Sequence, residues 1–223
     1  MFCMVGGYVD IAMLILTKQR KNRKNIGKGM FEPIAVDRDE LQLAVSLPEL
    51  DTVDHAVCVP LEGIAKSEIL NSSLDALFVS GLLPEQRREL ATMCDIQGLE
   101  LVVFEHPFND KFVIKDVVLN ITNKLFSNEM PKNIDFADIR NLNQSSDYLF
   151  AFNSQSSALE FLQLQELGAV IGGVYLAHGN VDLDEYQSAN QQLSRYISEY
   201  GYLCSSFHSS GFAECTILLG IKR

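Results

Sequence analysis

The sequence predicts an α/β fold in which a Rossmann-like parallel-sheet half is joined by a central helix to a mixed α+β half. Three observations carry that expectation. The runs Leu74–Ser80 and Leu99–Phe104 are apolar with almost no polar alternation, as strands buried on both faces are. The helical pattern Arg87–Cys94 lies between them, giving strand, helix and strand within ~30 residues, the spacing of a right-handed crossover. A long amphipathic stretch, Lys111–Phe126, then separates this half from a remainder in which strands follow one another more directly.

Taken in order, Phe31–Val36 and Ala56–Pro60 are further apolar runs of strand length. Within Lys111–Phe126, residues Val113, Val117, Val118, Ile121 and Leu125 fall on one stripe of a 3.6-residue period, and Pro131 prevents continuation beyond Ser127. The second half reads as strands at Tyr148–Asn153, Val170–Ala177, Tyr202–His208 and Glu214–Ile221. Between the second and third lies a helix with Asp182 as N-cap, Glu185 three residues on, and Tyr186, Ala189, Leu193 and Ile197 on one face before Gly201. The expected organisation is 1–110 as the parallel α/β half, 111–130 as the central helix and connection, and 131–223 as the mixed half.

Charge and cysteine content narrow the function classes. The net charge of −11 over 223 residues repels a phosphate polymer, so nucleic acid is not the expected partner. Residues 1–30 depart from this average at +5, leaving −16 on the rest, and are read as a solvated helix end rather than an anionic-partner patch. Their apolar run Ile11–Leu16 is far shorter than the ~20 residues of a membrane span, and its basic cluster follows it instead of preceding it as in a signal peptide. Cys3, Cys58, Cys94, Cys204 and Cys215 are odd in number and form no C-x-x-C pair, which fits a reduced, cytoplasmic setting.

Common catalytic signatures are missing. Cys204 and His208 are the nearest Cys/His pair, and on a strand they stand about 13 Å apart, too far for one zinc, so no metal is expected. There is no G-x-S-x-G and no P-loop, and Gly27-Lys-Gly29 lacks the strand-to-helix setting of a phosphate cradle. The segment Asn133-Ile-Asp-Phe-Ala-Asp-Ile139 stands out instead. With Asn133 as N-cap, Asp135 and Asp138 lie one turn apart on one face, and Phe136 and Ile139 one turn apart on another. Acidic residues in a first helical turn also complement the helix dipole, so spacing alone does not separate a site from a well-made helix start.

The letters of that segment, placed just after a long helix, resemble the synergy loop of FtsZ, the bacterial and archaeal tubulin homologue, which reads N-x-D-F-A-D-[VI]. The similarity continues collinearly through Tyr148-Leu-Phe-Ala-Phe152, through Gly172-Gly-Val-Tyr-Leu-Ala-His-Gly-Asn-Val-Asp-Leu-Asp-Glu-Tyr186, and to Ile217-Leu-Leu-Gly-Ile221. Upstream, Met4-Val-Gly-Gly7 resembles a shortened first phosphate loop with vestigial Gly6 and Gly7, Phe31–Asp39 the strand ending in N-T-D, Leu74–Gly81 the strand before the tubulin signature, and Leu101–Phe108 the strand ending in x-P-F.

The departure from the family pattern is local. Where the family runs into G-G-G-T-G-T-G, this chain has Leu82-Leu-Pro-Glu-Gln-Arg-Arg88, in which Pro84 removes a donor, Leu82 and Leu83 add bulk and Glu85 adds negative charge. The resemblance therefore implies a shortened pseudo-GTPase with no bound cofactor. It implies a synergy-loop role in trans for Asn133, Asp135 and Asp138, which orient water at a neighbour's nucleotide, and interface roles for Phe136 and Ile139. The implied partner is a subunit of an FtsZ-type cell-division or cytoskeletal filament, which the chain caps or regulates, or a second copy with which it assembles without nucleotide. Alternatives are a divergent GTP-binding cell-division protein, a small-ligand enzyme using Asp135 and Asp138 as acid and base, and a relic scaffold.

Overall fold

Aliphatic runs too short to alternate become the centre of the sheet. The computed structural model describes residues 41–223 apart from 63, 65–72, 132 and 165–167, all within one unit spanning Glu40–Arg223. The elements are β1 (Leu43–Ser46), β2 (Val57–Cys58), β3 (Ala76–Val79), α1 (Pro84–Gln97), β4 (Glu100–Glu105), α2 (Lys111–Phe126), α3 (Phe136–Ser145), β5 (Tyr148–Phe152), α4 (Gln155–Gln163), β6 (Ala169–His178), α5 (Leu183–Ser194), β7 (Ile197–His208) and β8 (Cys215–Lys222). The expected strand Phe31–Val36 and the vestigial Gly6 and Gly7 lie outside the described residues.

The strands form one eight-stranded sheet in the order β2-β1-β3-β4-β5-β8-β6-β7, parallel except for β8, which runs antiparallel to both neighbours. Residues of β1 and β3 are buried on both faces, which is why their sequences carry no alternation. The seam between the two sides is narrow: β4 and β5 pair only through Phe104 with Leu149 and Glu105 with Phe150. One face of the sheet carries a continuous core across that seam, in which Val117, Val118 and Ile121 of α2 and Ile139 and Leu142 of α3 meet Phe78, Phe104, Leu149 and Leu218. The opposite face carries two separate cores, one beneath Leu90 and Cys94 of α1 and one beneath α4 and α5. The result is helices on both faces of a mainly parallel sheet.

The structure adjusts several boundaries. Helix α1 begins at Pro84 and ends at Gln97, and the strand read as Tyr202–His208 starts at Ile197, so Ile197 is not on the α5 face. Asp182 is the N-cap of α5 but makes no side-chain cap hydrogen bond. Strands β7 and β8 are consecutive in sequence yet do not pair, because β8 inserts between β5 and β6. Two elements have no counterpart in the sequence reading: β1, in the centre of the parallel side, and α4, whose N-cap Ser154 accepts the Ser157 amide.

Candidate functional site

Two places hold the chemistry the sequence singles out, an acidic turn before α3 and a cleft at the carboxyl ends of β1, β3 and β4. The acidic turn follows from how α2 stops. The Ser127 hydroxyl donates to the Lys124 carbonyl (3.1 Å), and Lys124 Nζ donates to the Glu129 carbonyl (3.3 Å). The Glu129 carboxylate then accepts the Ser209 amide (2.8 Å) and lies 3.2 Å from His208 Nδ1 at the end of β7. Burial alone would raise the Glu129 carboxyl, but hydrogen bonds from His208 and Ser209 outweigh it and hold the group below its ordinary value.

The chain then runs along β7. Ser206 Oγ donates to the Pro131 carbonyl (3.1 Å), and the Asn133 amide donates to the Ser205 carbonyl. Asn133 is thus committed to β7, and Asp135 is the N-cap of α3. The correction has a physical basis: both residues suit an N-cap, and the β7 contact takes Asn133 out of contention. Asp135 and Asp138 form a reciprocal capping box, with the Asp138 amide donating to Asp135 Oδ1 (3.2 Å) and the Asp135 amide to Asp138 Oδ2 (2.9 Å). The Cys204 thiol donates to Asp138 Oδ1 (3.4 Å), and burial followed by the Asp138 charge pushes that thiol up to about 11. Tyr202 reaches the Asp138 carbonyl (3.4 Å).

The two carboxylates therefore serve the helix start first. Asp135 remains exposed and Asp138 half-exposed, so each keeps lone pairs for an outside group. Phe136 is half-buried with the Arg140 guanidinium 4.9 Å from its ring centroid, while Ile139 is fully buried. Ile139 consequently anchors the turn to the core, and of the two expected interface residues only Phe136 reaches the surface. The β7 residues that hold the turn, Tyr202, Cys204, Ser205 and Ser206, carry no local signal and lie more than sixty positions away in sequence.

The second place is a cleft of about 460 Å³ lined by Leu47, Pro48, Ser80–Leu82, Pro84, Arg87, Glu105, Asn109 and Lys111 among others. It sits where ligands bind in open α/β sheets, outside the carboxyl ends of the strands. Its floor is not a phosphate cradle. Gly81 is needed because its φ is +78° and a Cβ there would lie 2.8 Å from Pro48 Cγ. After it come Leu82, Leu83 and Pro84, and the Leu83 amide is already bonded to Gln86 Oε1 (2.9 Å). Of the two described cations that line it, Arg87 is neutralised by Glu105 at 2.6 Å and Lys111 lies 3.9 Å from Glu49. At the other helix start Asp110 accepts the Phe112 and Val113 amides (2.9 and 3.3 Å), so α2 too is capped from within.

The turn and the cleft do not meet within the chain. The turn packs beside β7, four strands from β4 in the sheet, a separation of about 19 Å at ~4.8 Å per strand.

No family profile and no curated protein sequence matches the chain. Among solved structures, an empty FtsZ dimer from M. jannaschii superposes with a TM-score of 0.54 over 94% of this chain and 91% of that one, at 10% identity. The chain has the FtsZ fold. CetZ from Methanosaeta thermophila strain DSM 6194 aligns at a TM-score of 0.42 and 12% identity, over 69% of this chain and 53% of that one. On this fold, Asn133–Ile139 falls at the α2–α3 connection and the start of α3, and Gly172–Tyr186 runs from β6 into α5. Among the described residues no helix is long and apolar enough to cross a membrane.

Proposed function

We propose that this chain is an FtsZ-fold pseudo-GTPase that docks its acidic turn onto a subunit of an FtsZ-type filament and regulates or caps that filament. The observation that carries the reading is the connection from β3 to α1. A phosphate group needs several backbone N–H donors converging on one point, supplied by small residues. Here the connection offers Leu82, Leu83 and Pro84, a Leu83 amide already spent on Gln86, and an arginine already paired with Glu105. The acidic turn, by contrast, is held by β7, and its Asp135 is exposed and its Asp138 half-exposed. About 19 Å from its own cleft, that pair can act only on a group brought by another molecule.

The small-ligand enzyme reading has less behind it. Asp135 and Asp138 are acceptors for each other's backbone amides, and no nucleophile or anion-binding group stands beside them.

Two measurements test the proposal. Titration with a fluorescent GTP or GDP analogue is expected to show no saturable binding; a dissociation constant in the low micromolar range overturns the pseudo-GTPase reading. Co-sedimentation with an FtsZ from the same cell, following polymer length and phosphate release together, is expected to show shortened polymer at substoichiometric protein. No change in either up to equimolar protein overturns the docking reading.

A further inference from the structure

The turn that leads from β4 into α2 is organised around one imidazole. His106 follows the last residue of β4 and is buried, and its Nδ1 accepts the backbone amides of both Phe108 and Asp110, each at 3.3 Å. Its carbonyl accepts a third amide, that of Asn109, at 2.9 Å. A ring nitrogen accepts only through a free lone pair, so the ring is neutral and its proton sits on Nε2. Phe108 and Phe152 meet the ring edge to face, with centroids 5.9 and 5.7 Å away.

The conformation held in this way is not a relaxed one. Asn109 has φ +55°, in the left-handed region that residues other than glycine rarely adopt. Asp110, whose own amide is tied to His106, caps α2 by accepting the Phe112 and Val113 amides. Asn109 and Lys111, on either side of it, line the cleft. A chain of contacts thus runs from the imidazole through Asp110 to the first turn of α2 and the cleft rim.

A second ring proton breaks that chain at its head. Placed on Nδ1, it faces two N–H donors and no acceptor, so both hydrogen bonds are lost together. Burial disfavours the charged ring and holds it below its ordinary value of 6.5, with the Asp110 carboxylate acting in the opposite direction. Other charges on the surrounding elements are occupied: Glu105 of β4 pairs with Arg87, Lys111 of α2 lies 3.9 Å from Glu49, and Asp116 of α2 accepts the Asn153 side-chain amide. From β5 the ring meets only the uncharged Phe152.

We propose that His106 is an acid-sensitive clamp on the cleft rim, which keeps the turn 106–110 closed while neutral and releases it, with the start of α2, when protonated. Opening takes up one proton. The open population therefore rises as pH falls below about 6.5, by at most tenfold per pH unit, until the closed ring itself titrates. Release stays local, because Val117, Val118 and Ile121 anchor α2 in the core further along. Phe108 and Phe112, 82% and 73% exposed, move with the released segment. The clamp operates whatever the cleft binds and does not depend on the filament reading.

Nitrogen-15 NMR on the full chain tests this. At pH 7 the His106 ring is expected as the neutral Nε2–H tautomer; the Nδ1–H tautomer, or a charged ring, overturns the proposal. Amide exchange at Phe108 and Asp110, corrected for its intrinsic pH dependence, is expected to show at least fivefold more opening at pH 5 than at pH 7. Amides of Leu149–Phe152 in β5 are expected to stay protected over the same range. His106→Asn keeps an acceptor near the Nδ1 position but cannot titrate, and is expected to abolish the acid response, while His178→Gln leaves it intact. Exchange that does not change with pH, opening of β5 in step with the turn, or an undiminished response in His106→Asn each overturns the proposal. Should His106→Asn fail to fold, the tautomer and the exchange of the unaltered chain still decide it.

Discussion

The acidic turn before α3 and the connection before α1 are both helix starts, yet their backbones are satisfied in opposite ways. At the acidic turn, two side chains exchange hydrogen bonds with each other's amides, and four β7 residues fasten the segment from outside. At α1 the N-cap is Leu83, which has no side-chain oxygen, and Gln86 alone answers an amide. The first start is built for rigidity, with carboxylates displayed as a by-product. The second exposes apolar surface where an anion would be expected. The difference shows that two helix starts on one sheet can be satisfied independently, because each is set by a separate short connection.

The largest effect is expected where one substitution disables both places at once. Helix α2 contributes Lys111 and Ile114 to the cleft and leads at its other end into the acidic turn, with Val117 fully buried between. Val117→Asp places a carboxylate in an apolar core and is expected to cost several kcal/mol, seen as a large fall in melting temperature. An unchanged melting temperature would show that α2 does not join the two.

Next comes the cap itself. Asp135→Ala is expected to cost about 1 kcal/mol in urea unfolding, while Asp135→Asn, which keeps a cap acceptor, costs only a small part of that. Equal losses for the two would mean the charge, and not the capping hydrogen bond, holds the turn. The converse experiment on the other start is Leu83→Ser, expected to stabilise by a few tenths to ~1 kcal/mol by supplying the missing cap. A loss of stability there would mean that Leu83 is packed and not merely exposed.

The smallest expected effect is on acid stability. Burial holds the His178 imidazole below its ordinary value of 6.5, with its ring nitrogens engaged by Ala213 and Thr216. The unfolded chain therefore takes up a proton first as pH falls below 6.5, and the stabilisation present above that pH is lost as it falls through the lower folded value. Glu129, also held low, adds the same sign of change below about 4.5. Urea unfolding at pH 7 and pH 5 should show this slope, and His178→Gln should flatten its upper part. A slope unaltered by His178→Gln would assign it to other groups.

Much of this comparison was legible in the letters. Helix α2 was readable to its end residues because its apolar stripe and Pro131 agree, and β3, β4, β5 and β6 because buried strands leave long aliphatic runs. Strand β1 was not, since Leu43-Ala-Val-Ser46 is four residues buried on both faces and so has no period to detect. Helix α4 begins in a serine-rich stretch that reads as a loop until Ser154 caps it. The Asn133-to-Asp135 displacement of the cap was invisible because its cause, the Ser205 carbonyl, is seventy-two positions away. Phe108 and Phe112 were visible as letters, but their exposure depends on which way α2 leaves the end of β4.

The place of β8 also governs when the protein can become whole. The ribosome delivers residues 215–222 after every other described strand, at roughly 5–20 residues per second. Until they arrive, β6 and β7 have no partner linking them to β5, and the β7 residues that fasten the acidic turn are not yet fixed to the parallel side. The nascent chain can complete its parallel side early, but β6, β7 and the acidic turn they hold are fixed to that side only once β8 has been made.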